Sequence, residues 1–271
     1  MMSIFNMTTL FNVSLAAYFC AMVCAVICLM SRRRFFDLAA NGLIMAGVSV
    51  QTVYLAMRWV EAGRAPFSNM FESLVLFGWT VSVVYLLLRI RNKIPWLAAA
   101  SAALSALALA HASTYESAIR PLMPALQSNW LSFHVMTCFL GYGAFAISAV
   151  AAVGFLVVSR QASTVHVETR LTIEAIVAQT ISFGFLFLTL GILTGAVWAN
   201  SAWGTYWSWD PKETWSLITW FIYAAFLHFN FMRGWRGRRA AWISIIGFCS
   251  VLFTYYGVNF LLSGLHSYAK S

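Results

Sequence analysis

The chain has 271 residues, of which 61% are hydrophobic and only 9% charged, and its mean hydropathy is +0.78. A soluble globular domain takes roughly a quarter of its residues from the charged set, so this composition excludes one and points to a polytopic membrane protein. The formal net charge of +9 is explained by membrane topology before any nucleic-acid partner is invoked, and none is expected.

Apolar runs long enough to cross a hydrocarbon core of about 30 Å as helices recur along the sequence. Eight are predicted, at about 9–30, 39–59, 70–88, 95–111, 131–158, 178–198, 214–232 and 241–262. The connections are short and no internal repeat stands out, so the expected fold is an all-α transmembrane helix bundle forming a single membrane domain over 1–271. No basic residue precedes the first run, and Arg32, Arg33 and Arg34 follow it in the manner of a stop-transfer anchor. This reads as a retained span with the amino terminus outside, and eight spans then return the carboxyl terminus to the same side. That topology puts twelve Lys and Arg residues inside and five outside, namely Arg58, Arg64, Arg120, Lys212 and Lys270, as the positive-inside rule requires. Cys20, Cys24, Cys28, Cys138 and Cys249 all fall in apolar runs without a CxxC pair and read as small hydrophobes.

Residues 159–177 form the longest inner connection. Arg160, His166, Glu168, Arg170 and Glu174 alternate there with apolar residues, which predicts a helix lying on the membrane surface. Two outer connections end in helix-start chemistry. Asn69 and Glu72 have capping-box spacing before the third run, and Asp210-Pro211-Lys212-Glu213 supplies a cap, a first-turn proline and an N3 acid before the seventh.

The stretch from Trp198 to Trp220 holds six of the twelve tryptophans. Rigid amphipathic indoles gathered around one Gly and one Asp-Pro turn suggest a platform for a flat ligand, or else an interface anchor. The outer Trp-rich loop is placed at 199–213, between spans six and seven. Asp210 reads as a helix cap, a role compatible with a platform just upstream.

His134 and His266 fall on the predicted outer face, flanking this loop. Each alone could be an interfacial histidine. Together they match the two axial nitrogens that low-spin haem iron takes on opposite faces of a flat ring. His228 lies about 14 residues into the seventh run, roughly 21 Å along a helix. At that depth it is either a neutral imidazole bonded to a neighbouring helix or a functional site. No zinc motif, Ser-His-Asp arrangement, phosphate loop or paired carboxylate is visible, so no catalytic side chain is assigned.

The string from Trp203 to Trp215, Trp-Gly-Thr-Tyr-Trp-Ser-Trp-Asp-Pro-Lys-Glu-Thr-Trp, resembles the "WWD" signature of haem-handling proteins in cytochrome c assembly, and its Asp-Pro-Lys-Glu ending resembles the CcsA (ResC) branch, System II. Pro66–Ser73, Trp130–Val135 and Gly264–Tyr268 are similar to further segments of that family. The resemblance implies a subunit that works with a CcsB (ResB)-like partner to carry haem b outward without attaching it covalently to itself. It would present the haem to the CxxCH thiols of apocytochrome c. It implies His134 and His266 as outer axial ligands and His228 as ligand of an inner site completed by the partner. Trp198, Trp203, Trp207, Trp209, Asp210 and Trp215 would then make up the platform around the haem. The implied location is a bacterial cytoplasmic membrane, or a thylakoid membrane if plastid-derived. A haem-binding scaffold or regulator of tetrapyrrole metabolism, and a haem transporter without synthase activity, are the competing readings.

Overall fold

A computed structural model describes residues 2–92, 94–160, 167–232, 234–262 and 264–265. Among the described residues every regular element is helical, and eight helices are long and apolar enough to cross a membrane. The expected all-α fold and span count therefore stand. The chain divides into two compact units, Met1–Leu122 and Met123–Ser271.

The first unit contains α1 (Met2–Ser31), α2 (Arg34–Ala62), α3 (Met70–Arg89) and α4 (Pro95–Ala112). In it α1 packs along α2 and α4, α3 packs along α4, and α2 touches α3 more lightly. Buried polar side chains join the helices where lipid could not solvate them. Tyr18 Oη donates to Gln51 Oε1 at 2.7 Å, Gln51 Nε2 donates to the Val75 carbonyl at 2.8 Å, and Tyr85 Oη donates to Asn41 Oδ1 at 2.7 Å.

The second unit contains α5 (Asn129–Arg160), α6 (Val167–Trp203), α7 (Pro211–Met232) and a last span, Arg238–Leu261. That span is α8 (Arg238–Leu252), a π-turn over Phe253–Gly257 and α9 (Val258–Leu261). Its pairing order repeats that of the first unit: α5 packs along α6 and α8, α7 along α8, and α6 against α7.

The α5–α6 contact is antiparallel and close because small residues on one helix face larger ones on the other. A Cβ at Gly184 would meet the Phe145 ring at 2.7 Å, one at Gly191 would meet Cys138 Sγ at 2.5 Å, and one at Gly195 would meet His134 Nδ1 at 2.6 Å. At Gly141 the obstacle is backbone, the Gly184 carbonyl oxygen at 3.0 Å. Deeper in the unit the Phe145 and Tyr223 rings stack at 3.7 Å, and Ser148 and Ser244 share a 2.7 Å hydrogen bond.

One expectation changes. His166 lies outside the described residues, and residues 167–177 of the predicted surface helix at 159–177 do not form a separate element. They are the opening turns of the 37-residue α6, whose length of about 55 Å at 1.5 Å per residue exceeds a bilayer core. Ile173, Ile176 and Val177 are buried there, so the polar residues sit on the sides of a packed helix.

Candidate functional site

The Trp-rich stretch is mostly helix. α6 runs through Trp203 and stops at Gly204, whose φ of +78° places it in the left-handed region that glycine enters freely. The Gly204 amide donates to the Asn200 carbonyl at 2.9 Å. α7 then begins at Pro211, in the first helical position that proline favours. The non-helical part is therefore 204–210, shorter than the predicted 199–213, and it exposes Tyr206 and Trp209, the latter 68% accessible.

Trp198 sits on the last turns of α6 and is buried. Its indole N–H donates to the Ala125 carbonyl at 2.9 Å, which satisfies its one polar atom. On one side it meets Trp203, 4.8 Å between ring centroids. On another it stacks with His134 of α5, 6.1 Å away and inclined by 17°. His134 Nδ1 lies 2.7 Å from the Gly191 carbonyl oxygen. A carbonyl only accepts, so Nδ1 carries the proton and any metal coordination by His134 passes through Nε2. Such a second bond is what orients a metal-binding imidazole, and it is available because Gly191 and Gly195 let the ring lie against the α6 backbone.

The loop is held by two buried acids. Glu213 Oε2 accepts the Ser208 amide at 2.8 Å, the Asp210 amide at 3.1 Å and the Ser208 hydroxyl at 3.2 Å. Between the two amides lies Trp209, with a φ of +59°, a conformation that costs a bulky residue about 1–3 kcal/mol and persists only where its surroundings enforce it. The Thr214 hydroxyl donates to the Trp209 carbonyl at 3.2 Å, and the Trp207 and Trp209 rings meet edge to face at 5.8 Å. Asp210 has a double role. Oδ1 caps α7 by accepting the Lys212 amide at 2.9 Å, while Oδ2 accepts the Leu265 amide at 2.6 Å. Sequence reasoning found the cap but could not find the second bond, which joins residues 55 positions apart. It also overlooked Glu213 as more than an N3 acid.

Of the other predicted site residues, Trp215 packs on Phe253 of the π-turn at 4.2 Å. His228 is exposed near the far end of α7, beside Phe229, about 26 Å along the helix from Pro211. His266 lies outside the described residues. Lys212 donates from Nζ to Asn259 Oδ1 at 2.9 Å.

In the first unit Glu72 is buried and gathers a comparable set. Oε1 accepts Arg58 Nε at 3.0 Å, and Oε2 accepts Arg64 Nη1 at 3.0 Å together with the Ser68 amide at 2.9 Å and hydroxyl at 3.0 Å. Asn69 caps α3 through the Glu72 amide, as predicted. Arg58 and Arg64 also donate to the Ser117 and Arg120 carbonyls, so both guanidiniums serve the fold of that unit.

Residues 67–266, well over half the chain, match the family model described as cytochrome C assembly protein. The chain belongs to that family. The matched span of this cytochrome c assembly protein begins just before the Ser68–Glu72 cluster and includes the whole Trp-rich stretch. It is 38% identical over 250 residues to the cytochrome c biogenesis protein CcsA of Synechococcus sp. (strain CC9605), covering 80% of this chain and 82% of that one. It is 40% identical over 237 residues to CcsA of Chlamydomonas reinhardtii, covering 83% and 67%. Its fold is similar to that of the cytochrome c heme lyase CcmF, with a TM-score of 0.71 and 19% identity. This likeness concerns the fold alone, and the chain, 97% of it covered, spans 47% of that protein's length.

Proposed function

We propose that this cytochrome c assembly protein is the haem-delivery and presentation subunit of a cytochrome c synthase. The observation that carries the reading is His134, its Nδ1 proton committed to Gly191 and its ring stacked on buried Trp198 below an exposed tryptophan loop. That chemistry suits haem, because an imidazole fixed in one tautomer is a ready axial ligand and indoles suit the face and edge of a porphyrin. His134 and His266 are the proposed axial ligands, and Trp198, Trp203, Trp207, Trp209 and Trp215 the aromatic surroundings. Exposed His228 is the proposed ligand of a second site completed by a CcsB-like subunit. The proposed cargo is haem b, held without covalent attachment on the outer face of a bacterial cytoplasmic or thylakoid membrane.

The reaction to be served adds each CxxCH thiol across a haem vinyl group. A C–S bond forms at one vinyl carbon, the thiol proton ends on the other, and no net oxidation occurs. The protein contributes by position, since holding both partners in contact replaces a bimolecular encounter.

The test is the visible spectrum of the chain purified with its partner, together with haem attachment to a co-expressed apocytochrome. Sharp α and β bands, lost in His134→Ala and in His266→Ala, and covalent haem on the cytochrome are the expected results. Haem binding without attachment would favour a scaffold or regulator, and a complex that takes up no haem would remove the ligand assignments.

A further inference from the structure

Trp209 is the most exposed ring of the loop and sits in the backbone conformation least suited to it. Nothing in its own side chain favours a positive φ. The amides on both sides of it, those of Ser208 and Asp210, point to the same oxygen, Glu213 Oε2, and the Ser208 hydroxyl joins them. Glu213 itself is 9% exposed. A buried carboxylate accepting three hydrogen bonds around one residue over-determines that residue's φ and ψ, which is how a strained conformation persists in a fold. The opposite edge is closed by Thr214, whose hydroxyl meets the Trp209 carbonyl, and Asp210 fixes the following residue to both α7 and Leu265. With the backbone locked on all sides, the Cα–Cβ bond of Trp209 keeps one direction, and its ring rests edge to face on Trp207 at 5.8 Å.

We infer that Glu213 is a positioning residue that holds Trp209 in the left-handed conformation and thereby presents its ring to the haem. This rests on the haem reading above and adds to it a residue that would not touch the ligand. The device differs from an ordinary capping box, in which the acid serves only the cap residue's amide. Glu213 also takes both donors of Ser208, on the far side of Trp209.

The experiment titrates haem into the full chain, co-purified with its CcsB-like partner and stripped of pigment. It compares Glu213→Ala, Glu213→Gln, Trp209→Ala and the double variant Trp209→Ala/Glu213→Ala. Glu213→Ala is expected to weaken haem binding about tenfold, since the three bonds that fix the backbone around Trp209 are lost. The α and β band positions should not move, because the iron ligands are untouched. Glu213→Gln should lie between, as one amide oxygen can replace Oε2, and it serves as the folded control if the alanine variant aggregates. The double variant should be no weaker than Trp209→Ala by more than about twofold, because the acid acts through that ring. Losses that multiply, or a Glu213→Gln and Glu213→Ala affinity equal to wild type, overturn the inference. A second arm needs no haem. Trp209→Gly should melt about 2–4 °C above Trp209→Ala, glycine being at ease at positive φ, and the reverse order also overturns it. If the wild-type complex takes up no haem, the haem reading falls, and with it the purpose given to Trp209. The melting order still decides whether the turn is held as described.

Discussion

Gly195 controls His134 without touching any ligand. A methyl group there would come within 2.6 Å of Nδ1 and 2.7 Å of Cε1, closer than side chains approach, so the ring must swing off the α6 backbone and away from the Gly191 carbonyl. Alanine is also the better helix former. Gly195→Ala is therefore expected to keep the helical circular-dichroism signal and its melting temperature close to wild type while weakening the α and β bands of bound haem. A variant that loses helix and haem together would show that the glycine serves packing alone. Both residues were visible in the sequence, but not their meeting. His134 and Gly195 are 61 positions apart, and only the antiparallel register of α5 and α6 brings them together.

At the scale of elements, α3 and α7 start in the same way. In each, a first-turn glutamate bends back to take the amide and hydroxyl of a serine before the cap. The difference is what else the acid meets. Glu72 lies against two guanidiniums, and Glu213 against a loop of tryptophans. Arg58 is 3% exposed and its charge is balanced within 3.0 Å by Glu72. Glu72→Gln leaves that guanidinium buried without its counter-charge and should cost about 3–5 kcal/mol, read as a clear fall in melting temperature. Arg58→Met in the same background should recover part of it, because the pair is then removed together. Cap positions were legible from Asn69, Glu72, Asp210 and Pro211, since capping is local chemistry. The arginines were not assigned to Glu72 from sequence, because they lie 14 and 8 positions before it, across the connection from α2 to α3.

For the whole molecule, hydropathy alone recovered all eight spans, because a helix that crosses lipid needs about 20 mostly apolar residues in succession. It did not recover the matching pairing order of the two four-helix units, since the rule of apolar length says nothing about neighbours. It also divided the polar opening of α6 from its apolar remainder, although packing of Ile173, Ile176 and Val177 makes them one helix. The charge count gives a testable orientation. With the native cysteines replaced, a single cysteine at Ser201 should react with a membrane-impermeant thiol reagent applied to the outer side of intact cells, and one at Trp235 should react only after the cells are opened. The opposite pattern would invert the topology and set the tryptophan loop inside.

The π-turn at Phe253–Gly257 interrupts the last span where a regular helix would have served the bilayer equally well. Widening one turn takes up an extra residue, and each residue of an α-helix advances the side-chain direction by about 100°. The helix beyond the turn, Val258–Leu261, is thus re-phased by that angle. In this phase Asn259 reaches Lys212 with one end of its amide and the Tyr255 carbonyl with the other. A single residue's worth of helical phase, set within the span, decides that the last helical turn is tied to the start of α7.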